Sequence, residues 1–186
     1  MRLFGALTVT SGNGKSSMKI VKIANKYEVK IDEEDYKKYT RQNYSWEIVH
    51  RRQGVIRYVR VMPKGTGRRA AKKRIHRLIM GVTDPNIIVD HINRDPLDNR
   101  KLNLRLCTIA ENNRNCGIRD ARNKSGFKGV SLTPAKKWAA RVRHNDKDIY
   151  LGTFTTPQAA AEAYDKKAVE LFGEFACTNK MLGKLG

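Results

Sequence analysis

Alternating hydrophobic and polar positions predict a small β-rich region at residues 19–66. The stretch "SWEIVHRRQGVIRYVRVM" is typical of two strands joined by a turn at Gln53-Gly54. In the second strand three valines alternate with an isoleucine and a tyrosine, so both of its faces are partly apolar. Residues 1–18 lack this alternation, and we expect them to form a flexible leader.

The next segment, residues 67–115, begins with a helical pattern and continues with two short strands and a second helix. "AAKKRIHRLIMG" carries its large apolar residues on one helical face, which predicts a helix that ends at Gly81. "IIVDHI" and "NLRLCT" are each typical of a short strand, and the polar "NRDPLDNRKL" between them has turn chemistry. "TIAENNRN" predicts a helix, because Thr108 and Glu111 have the spacing of a capping box. The predicted order is strand, loop, strand and helix.

The C-terminal third predicts a separate module. Residues 116–124 are basic and polar without apolar periodicity, which indicates a linker. Residues 125–180 predict three strands, and then a helix that Thr156-Pro157 opens and Gly173 ends. The expected fold class is therefore α+β, with a small N-terminal β-rich region, a strand–strand–helix finger, and a C-terminal three-stranded antiparallel sheet packed on one helix.

The net charge of the chain indicates what kind of partner it binds. The 186 residues contain 38 Lys and Arg against 18 Asp and Glu, a formal net charge of +20. Residues 51–124 alone carry nineteen basic and six acidic groups. A field of one sign and this size favours a polyanionic partner, most simply nucleic acid. A basic surface that only keeps the protein soluble is the simpler alternative.

The cysteines and the apolar runs favour a reduced, intracellular compartment. Cys107, Cys116 and Cys177 are odd in number and widely spaced, and the absence of a CxxC pair argues against a four-thiolate zinc site. Structural disulfides belong to oxidising compartments. No apolar run approaches the roughly 20 residues that cross a bilayer, so no membrane partner is expected.

The polar loop and its flanks hold the candidate chemistry. Asp90 stands beside His91, and six asparagines lie between residues 93 and 115. Hydrolysis of a phosphodiester needs a base that takes a proton from water, and a cation that neutralises the phosphate and the leaving oxygen. Histidine suits the first task, and carboxylate and amide oxygens suit Mg²⁺ or Mn²⁺. The alternative is a polar loop whose asparagines only form turns and caps.

The stretch "VDHIN…DNRKLNLRLCTIAENNRN" resembles the HNH endonuclease motif, in the form found in phage and intron-encoded homing endonucleases. That resemblance implies a ββα-metal finger with His91 as the general base and Asn103 as the residue that orients it. It further implies that Asp90 and Asn112 bind a single Mg²⁺ or Mn²⁺ ion, and that Arg105 contacts the phosphate backbone. Three further asparagines are expected to support the loop: Asn93, Asn99 and Asn115.

The stretch "SGFKGVSLTPAKKWAARVRHNDKDIYLGTF", continued by "AAAEAYDKKA" and "FG", is similar to the plant ethylene-response-factor (Apetala-two) DNA-binding domain. The resemblance implies a three-stranded sheet in the DNA major groove, with a helix behind it and Trp138 on the core side. The residues expected to contact DNA are Lys128, Lys137, Arg141, Arg143 and Tyr150. Ser131, Thr133 and Ala135 stand where plant members carry arginines and a tryptophan, so the base preference does not carry over.

Together these patterns predict a metal-dependent HNH endonuclease of the homing type that a C-terminal domain targets to double-stranded DNA. We expect a monomer that works inside a cell, as in the bacterial host of a phage. The main alternative is a non-catalytic DNA-binding regulator that keeps a degenerate nuclease fold. An RNA-directed nuclease or RNA binder is a third hypothesis, which the basic charge alone would allow.

Overall fold

A computed structural model describes residues 17–40, 44–51, 55–65, 72–118 and 123–185, and it confirms the α+β class. The predicted Gln53-Gly54 turn, nearly all of the 1–18 leader and the centre of the 116–124 linker lie outside the described residues. The strands and helices within these ranges are β1 Met18–Ile23, β2 Tyr27–Asp32, α1 Glu33–Thr40, β3 Tyr44–His50, β4 Ile56–Pro63, β5 Lys73–Arg74, α2 Ile75–Ile79, β6 Ile88–His91, β7 Leu104–Cys107, α3 Ile109–Arg114, β8 Val130–Leu132, β9 Trp138–His144, β10 Lys147–Phe154 and α4 Pro157–Phe172.

The N-terminal half contains two antiparallel sheets, β1-β2 and β3-β4-β5. Helix α1 was not predicted, because the sequence "EEDYKKYT" is mostly charged and shows little apolar periodicity. Three acidic residues in its first turn, Glu33, Glu34 and Asp35, face the positive end of the helix dipole. Tyr39 then anchors the helix, because its side chain is buried in the core.

The helix predicted from "AAKKRIHRLIMG" is shorter than expected. Lys73 and Arg74 are extended and pair with Val61 and Arg60 of β4, so α2 begins only at Ile75. Pairing with β4 satisfies the backbone of these two residues before the helix starts. Arg74 therefore belongs to the edge strand of the β3-β4-β5 sheet and not to the helix.

One hydrophobic core spans the predicted 19–66 and 67–115 segments. Its buried residues come from both segments: Val29, Ile31, Tyr39, Val59, Val61, Ile75, Ile79, Val89 and Leu104. The polar loop after β6 is attached to β2 as well, because Asn99 N–H donates to Lys30 O at 2.8 Å and Lys30 N–H donates to Leu97 O at 2.8 Å. The two segments therefore pack as one unit.

In the C-terminal module, the sheet has the order β10-β9-β8 and packs on α4. Thr156 caps α4 through Ala159 N–H, and Gly173 ends the helix, as predicted. Gly129 has a positive φ of 75°, and a Cβ there would lie 2.0 Å from Cδ2 of Tyr164, so only glycine fits between sheet and helix. Among the described residues, no helix is both long enough and apolar enough to span a membrane.

Candidate active site

His91 lies at the end of β6 and is oriented by a fully buried asparagine. Its Nε2 lies 3.2 Å from Oδ1 of Asn99. The amide orientation of Asn99 is set by its Nδ2, which donates to Pro96 O at 3.1 Å. Because Oδ1 can only accept, Nε2 of His91 carries the proton and Nδ1 keeps its lone pair. No described residue hydrogen-bonds that Nδ1.

Burial sets the protonation state of this histidine. Removal from water lowers the pKa of His91, and this effect exceeds the raising effects of the Asn99 hydrogen bond and of Asp90. At neutral pH the imidazole is therefore uncharged. A neutral imidazole with a free Nδ1 is the form that can accept a proton.

Asn103, predicted to orient His91, has other partners. Its Nδ2 donates to Asn93 Oδ1 at 2.9 Å and to Asp98 O at 2.8 Å, and its Oδ1 accepts from Asn93 N–H at 3.0 Å. The buried Asn103 amide therefore closes the polar loop on itself. The structure corrects the prediction, since Asn99 makes the contact with His91 and Asn103 supports the loop that presents Asn99.

The Asp90 carboxylate is held on one side only. Its Oδ2 accepts from Arg105 Nε at 3.2 Å, Arg105 Nη2 at 3.1 Å and Asn115 Nδ2 at 2.8 Å. Asn115 also donates to His91 O at 3.1 Å, and thus connects two consecutive residues of β6 to the end of α3. No described residue hydrogen-bonds Oδ1 of Asp90, so this oxygen is available to a ligand.

Asp90, His91 and Asn112 line the same cavity of about 570 Å³. Helix α3 positions Asn112, and its capping box is present as predicted: Thr108 Oγ1 accepts from Glu111 N–H, and Glu111 accepts from Thr108 N–H. No described residue hydrogen-bonds the Asn112 side-chain amide. In addition, Oδ1 of Asn115 is buried without a hydrogen-bond partner in the same wall. Three polar groups on this wall therefore have unused oxygen atoms.

His76 also lines this cavity, although no sequence motif marks it as a site residue. Its ring lies 5.2 Å from the His91 ring at an interplanar angle of 71°, and its Nδ1 is buried without a partner. Burial and the neighbouring His91 lower the pKa of His76 to about 3. His76 is therefore a neutral packing partner of His91.

His76 should make the fold less stable in acid. Its folded pKa lies below the unfolded value of about 6.5, so the unfolded chain takes up a proton that the folded chain excludes as the pH falls. Between pH 7 and pH 5 the free energy of unfolding should drop by about 2 kcal/mol from this group. Urea unfolding of wild type and His76→Phe at both pH values measures the effect. An equal drop in the two proteins would contradict it.

The outer face of the C-terminal sheet carries exposed basic and aromatic side chains. Arg141 and Arg143 point to solvent from β9, while Val142 between them is buried. Tyr150 pairs with Arg141 across the strands, and the guanidinium carbon lies 5.7 Å from the centre of its ring. Lys137 is exposed in the preceding turn, and Trp138 packs against the core as predicted. Four of the five residues predicted here to contact DNA are thus accessible.

Residues 73–114 match the family model described as HNH endonuclease. This segment is an HNH domain. A stretch of 115 residues is 35% identical to an HNH endonuclease of Acanthamoeba polyphaga mimivirus and covers 59% of each protein. A stretch of 98 residues is 36% identical to an ethylene-responsive transcription factor of Arabidopsis thaliana, covering 50% of this chain and 59% of the relative.

The C-terminal region has further relatives of the same kind. An APETALA2-like protein of Oryza sativa subsp. japonica is 44% identical over 61 residues, which cover 32% of this chain and 14% of the relative. The chain thus joins an HNH domain to an AP2/ERF-type domain. It spans about three fifths of the length of the first two relatives. No solved structure matches it significantly.

Two residues predicted to contact DNA instead donate hydrogen bonds to groups of the protein. Arg105 of the HNH domain is 9% exposed, and its guanidinium contacts Asp90 and the backbone carbonyl of Glu174. Lys128 of the AP2/ERF-type domain is half-buried, and its Nζ donates to Arg114 O at 2.9 Å and Cys116 O at 2.6 Å. Both cations hydrogen-bond to groups of the protein, and their contact with DNA stays a prediction.

The register of strands β6 and β7 explains why Arg105 contacts Asp90. In the β6-β7 hairpin of the HNH domain Asp90 is paired with Arg105, and His91 with Leu104. Opposite charges directly across two antiparallel strands attract each other. The register cannot be read from the sequence, because a long polar loop joins the strands and leaves several alignments open.

Proposed function

We propose that this chain is a metal-dependent DNA endonuclease of the homing type. The observation that carries the proposal is the convergence of Asp90, His91 and Asn112 on one arginine-lined cavity within the HNH domain. A general base, two oxygen ligands and several cations are the groups that phosphodiester hydrolysis requires. The similarity to a viral HNH endonuclease supports the same reaction.

His91 acts as the general base in this proposal. Asn99 holds its Nε2–H, so Nδ1 accepts the proton of a water molecule while the water oxygen forms its bond to phosphorus. The bond from phosphorus to the leaving sugar oxygen then breaks. The lowered pKa keeps His91 in its neutral, proton-accepting form at pH 7.

A single Mg²⁺ or Mn²⁺ ion fits the residues present. Asp90 Oδ1 and the Asn112 amide oxygen would hold it, because both residues line the cavity and no described residue hydrogen-bonds either oxygen. Among the described residues, no group of three or more His, Cys, Asp and Glu is suited to a metal, so most of the remaining ligands would be water and phosphate oxygen. When bound, the ion supplies positive charge that stabilises the phosphate and the leaving oxygen.

Three arginines on the cavity rim are suited to bind the DNA backbone. Arg51, Arg57 and Arg74 are exposed, and no described residue hydrogen-bonds their guanidinium groups. Arg57 and Arg74 flank the ring of Tyr58, at 5.6 and 4.8 Å from its centre. By contrast, Arg77 and Arg94 line the cavity but donate to protein groups. The guanidiniums of Arg51, Arg57 and Arg74 would neutralise phosphates on either side of the scissile bond.

The AP2/ERF-type domain would supply the second contact with double-stranded DNA. A β-sheet can enter the major groove, and the exposed row of Arg141, Arg143 and Tyr150 lies on one face of this sheet. Arg143 lies 3.7 Å from Asp148, a solvated pair that exchanges easily for a phosphate or a base edge. We propose that this face holds the target while the HNH domain cuts.

A DNA-binding regulator without catalysis is the second candidate function. The similarity of half of the chain to a plant transcription factor favours it. Such a protein would need no proton acceptor and no open carboxylate oxygen. The two functions therefore differ in what happens to DNA after binding.

Supercoiled plasmid incubated with the full chain separates these two functions. We expect conversion to nicked or linear DNA with Mg²⁺ or Mn²⁺, and no conversion when EDTA removes the metal. Gel electrophoresis measures the product, and a gel shift at the same protein concentration measures binding. Binding without cleavage under either metal would favour the regulator.

A further inference from the structure

The two domains meet at the Arg105 guanidinium. On one side its Nε and Nη2 donate to Asp90. On the other side its Nη1 donates to Glu174 O at 2.5 Å, and the Phe175 ring lies against it with 4.0 Å between the guanidinium carbon and the ring centre. Glu174 and Phe175 belong to the short 3₁₀ turn Gly173–Phe175, which follows α4 of the AP2/ERF-type domain.

These contacts determine how Asp90 is presented. A guanidinium is planar, and its five N–H donors have fixed directions. Once Nη1 is held by Glu174 and the plane is stacked on Phe175, the directions of Nε and Nη2 are fixed as well. Both donate to Oδ2 of Asp90, and they leave Oδ1 of this cavity-lining residue without a hydrogen bond from any described residue. A lysine would supply the charge without fixing the direction.

Other contacts keep the turn in place. Arg94 Nη1 donates to Cys177 Sγ at 2.9 Å, and its Nη2 donates to Met181 O at 2.8 Å. Arg114 lies over the ring of Phe172 at 5.0 Å. Together with Lys128, these residues bind the C-terminal domain directly to the HNH domain. The turn at Glu174 and Phe175 is therefore part of a continuous interface.

We propose that Arg105 is a positioning residue for Asp90 and that the AP2/ERF-type domain, through Glu174 and Phe175, holds the Arg105 guanidinium in place from behind. This inference rests on the proposed role of Asp90 as a metal ligand. Groups that orient a ligand from behind commonly change metal affinity by about 10- to 100-fold when they are replaced. The AP2/ERF-type domain then contributes to the chemistry of cleavage as well as to the binding of target DNA.

Mn²⁺ affinity of the full-length chain tests this proposal without using cleavage. Electron paramagnetic resonance measures free Mn²⁺ during a titration, and Asp90→Asn gives the baseline. We expect Arg105→Lys to weaken binding by roughly 10-fold or more, and Phe175→Leu by about fivefold, the effect of one partly exposed cation–π contact. In the Arg105→Lys background, Phe175→Leu should have no further effect, because the turn acts through Arg105.

Phe154→Leu is the matched control. Phe154 is a partly buried aromatic in the core of the same domain, and no contact joins it to Arg105. It should lower the unfolding temperature and leave Mn²⁺ affinity within about twofold of wild type. The proposal is overturned if Phe154→Leu weakens Mn²⁺ binding as much as Phe175→Leu, or if Phe175→Leu has the same effect in both backgrounds.

The outcomes also separate this inference from the proposed nuclease function. A chain that shows the expected pattern of Mn²⁺ affinities but never cuts plasmid would disprove the nuclease and support the positioning role. If the chain cuts plasmid but wild type and Phe175→Leu bind Mn²⁺ with equal affinity, the nuclease function is supported and the positioning role is disproved. Absence of specific Mn²⁺ binding in the wild type would overturn both the metal role of Asp90 and its positioning by Arg105.

Discussion

His91→Ala is expected to lower the rate of plasmid cleavage by about 10²- to 10⁴-fold, the usual contribution of a positioned general base. The substitution removes Nδ1, the atom proposed to accept the proton of the attacking water. Asp90 and Asn112 remain, so metal affinity and DNA affinity should change little. Single-turnover cleavage of supercoiled plasmid measures the rate, and a gel shift measures binding.

A matched control for this substitution is His144→Ala. His144 lies in the C-terminal domain, where its ring packs near Phe172, and it does not line the cavity. It should cut at nearly the wild-type rate. Cleavage by His91→Ala within threefold of wild type would show that another group removes the proton. Loss of DNA binding in His91→Ala would show that the residue supports the fold or the DNA surface.

Asp90→Asn should abolish metal-dependent cleavage and also destabilise the fold. The Asp90 and Arg105 side chains are only 10% and 9% exposed, so the substitution leaves a buried guanidinium with one fewer countercharge. Breaking such a pair from one side costs about 3 kcal/mol of unfolding free energy. Urea denaturation measures this loss, and plasmid cleavage in Mg²⁺ and Mn²⁺ measures activity.

Asp148→Asn is the surface counterpart of this substitution. Asp148 lies 3.7 Å from Arg143, and its side chain is 59% exposed. Exposed pairs of this kind contribute roughly 0 to 1 kcal/mol, so the loss should be much smaller than for Asp90→Asn. A similar loss in the two variants would mean that burial of the Asp90–Arg105 pair has no energetic effect. Substantial cleavage by Asp90→Asn would remove the carboxylate from the proposed mechanism.

Local signals predicted the elements around the site well. The capping box of Thr108 and Glu111 needs only four residues, and it places α3 correctly. The strands β6 and β7 were expected from short apolar runs, and Thr156-Pro157 marked the start of α4. These features depend on neighbours in the sequence. Helix α1 was missed because packing of Tyr39, and not apolar periodicity, holds it.

The contacts that orient the site are non-local, and the sequence did not reveal them. Asn99 reaches His91 because two backbone hydrogen bonds to Lys30 fix the path of the polar loop. A sequence with six asparagines in one segment does not show which of them faces the histidine. Arg105 meets Glu174 across 69 positions of the chain. Such a contact depends on how two domains dock, and periodicity within each domain carries no information about it.

The shared interface has a geometric consequence for cleavage of DNA. The outer face of the C-terminal sheet and the cavity with His91 belong to bodies joined through Arg94, Arg105 and Lys128. For an enzyme built in this way, the number of base pairs between the recognised sequence and the cut is set by the fold. Residues inserted between 118 and 123 should then leave that offset unchanged, because docking and not chain length determines the distance. The cut would then fall at a constant number of base pairs from the recognised sequence.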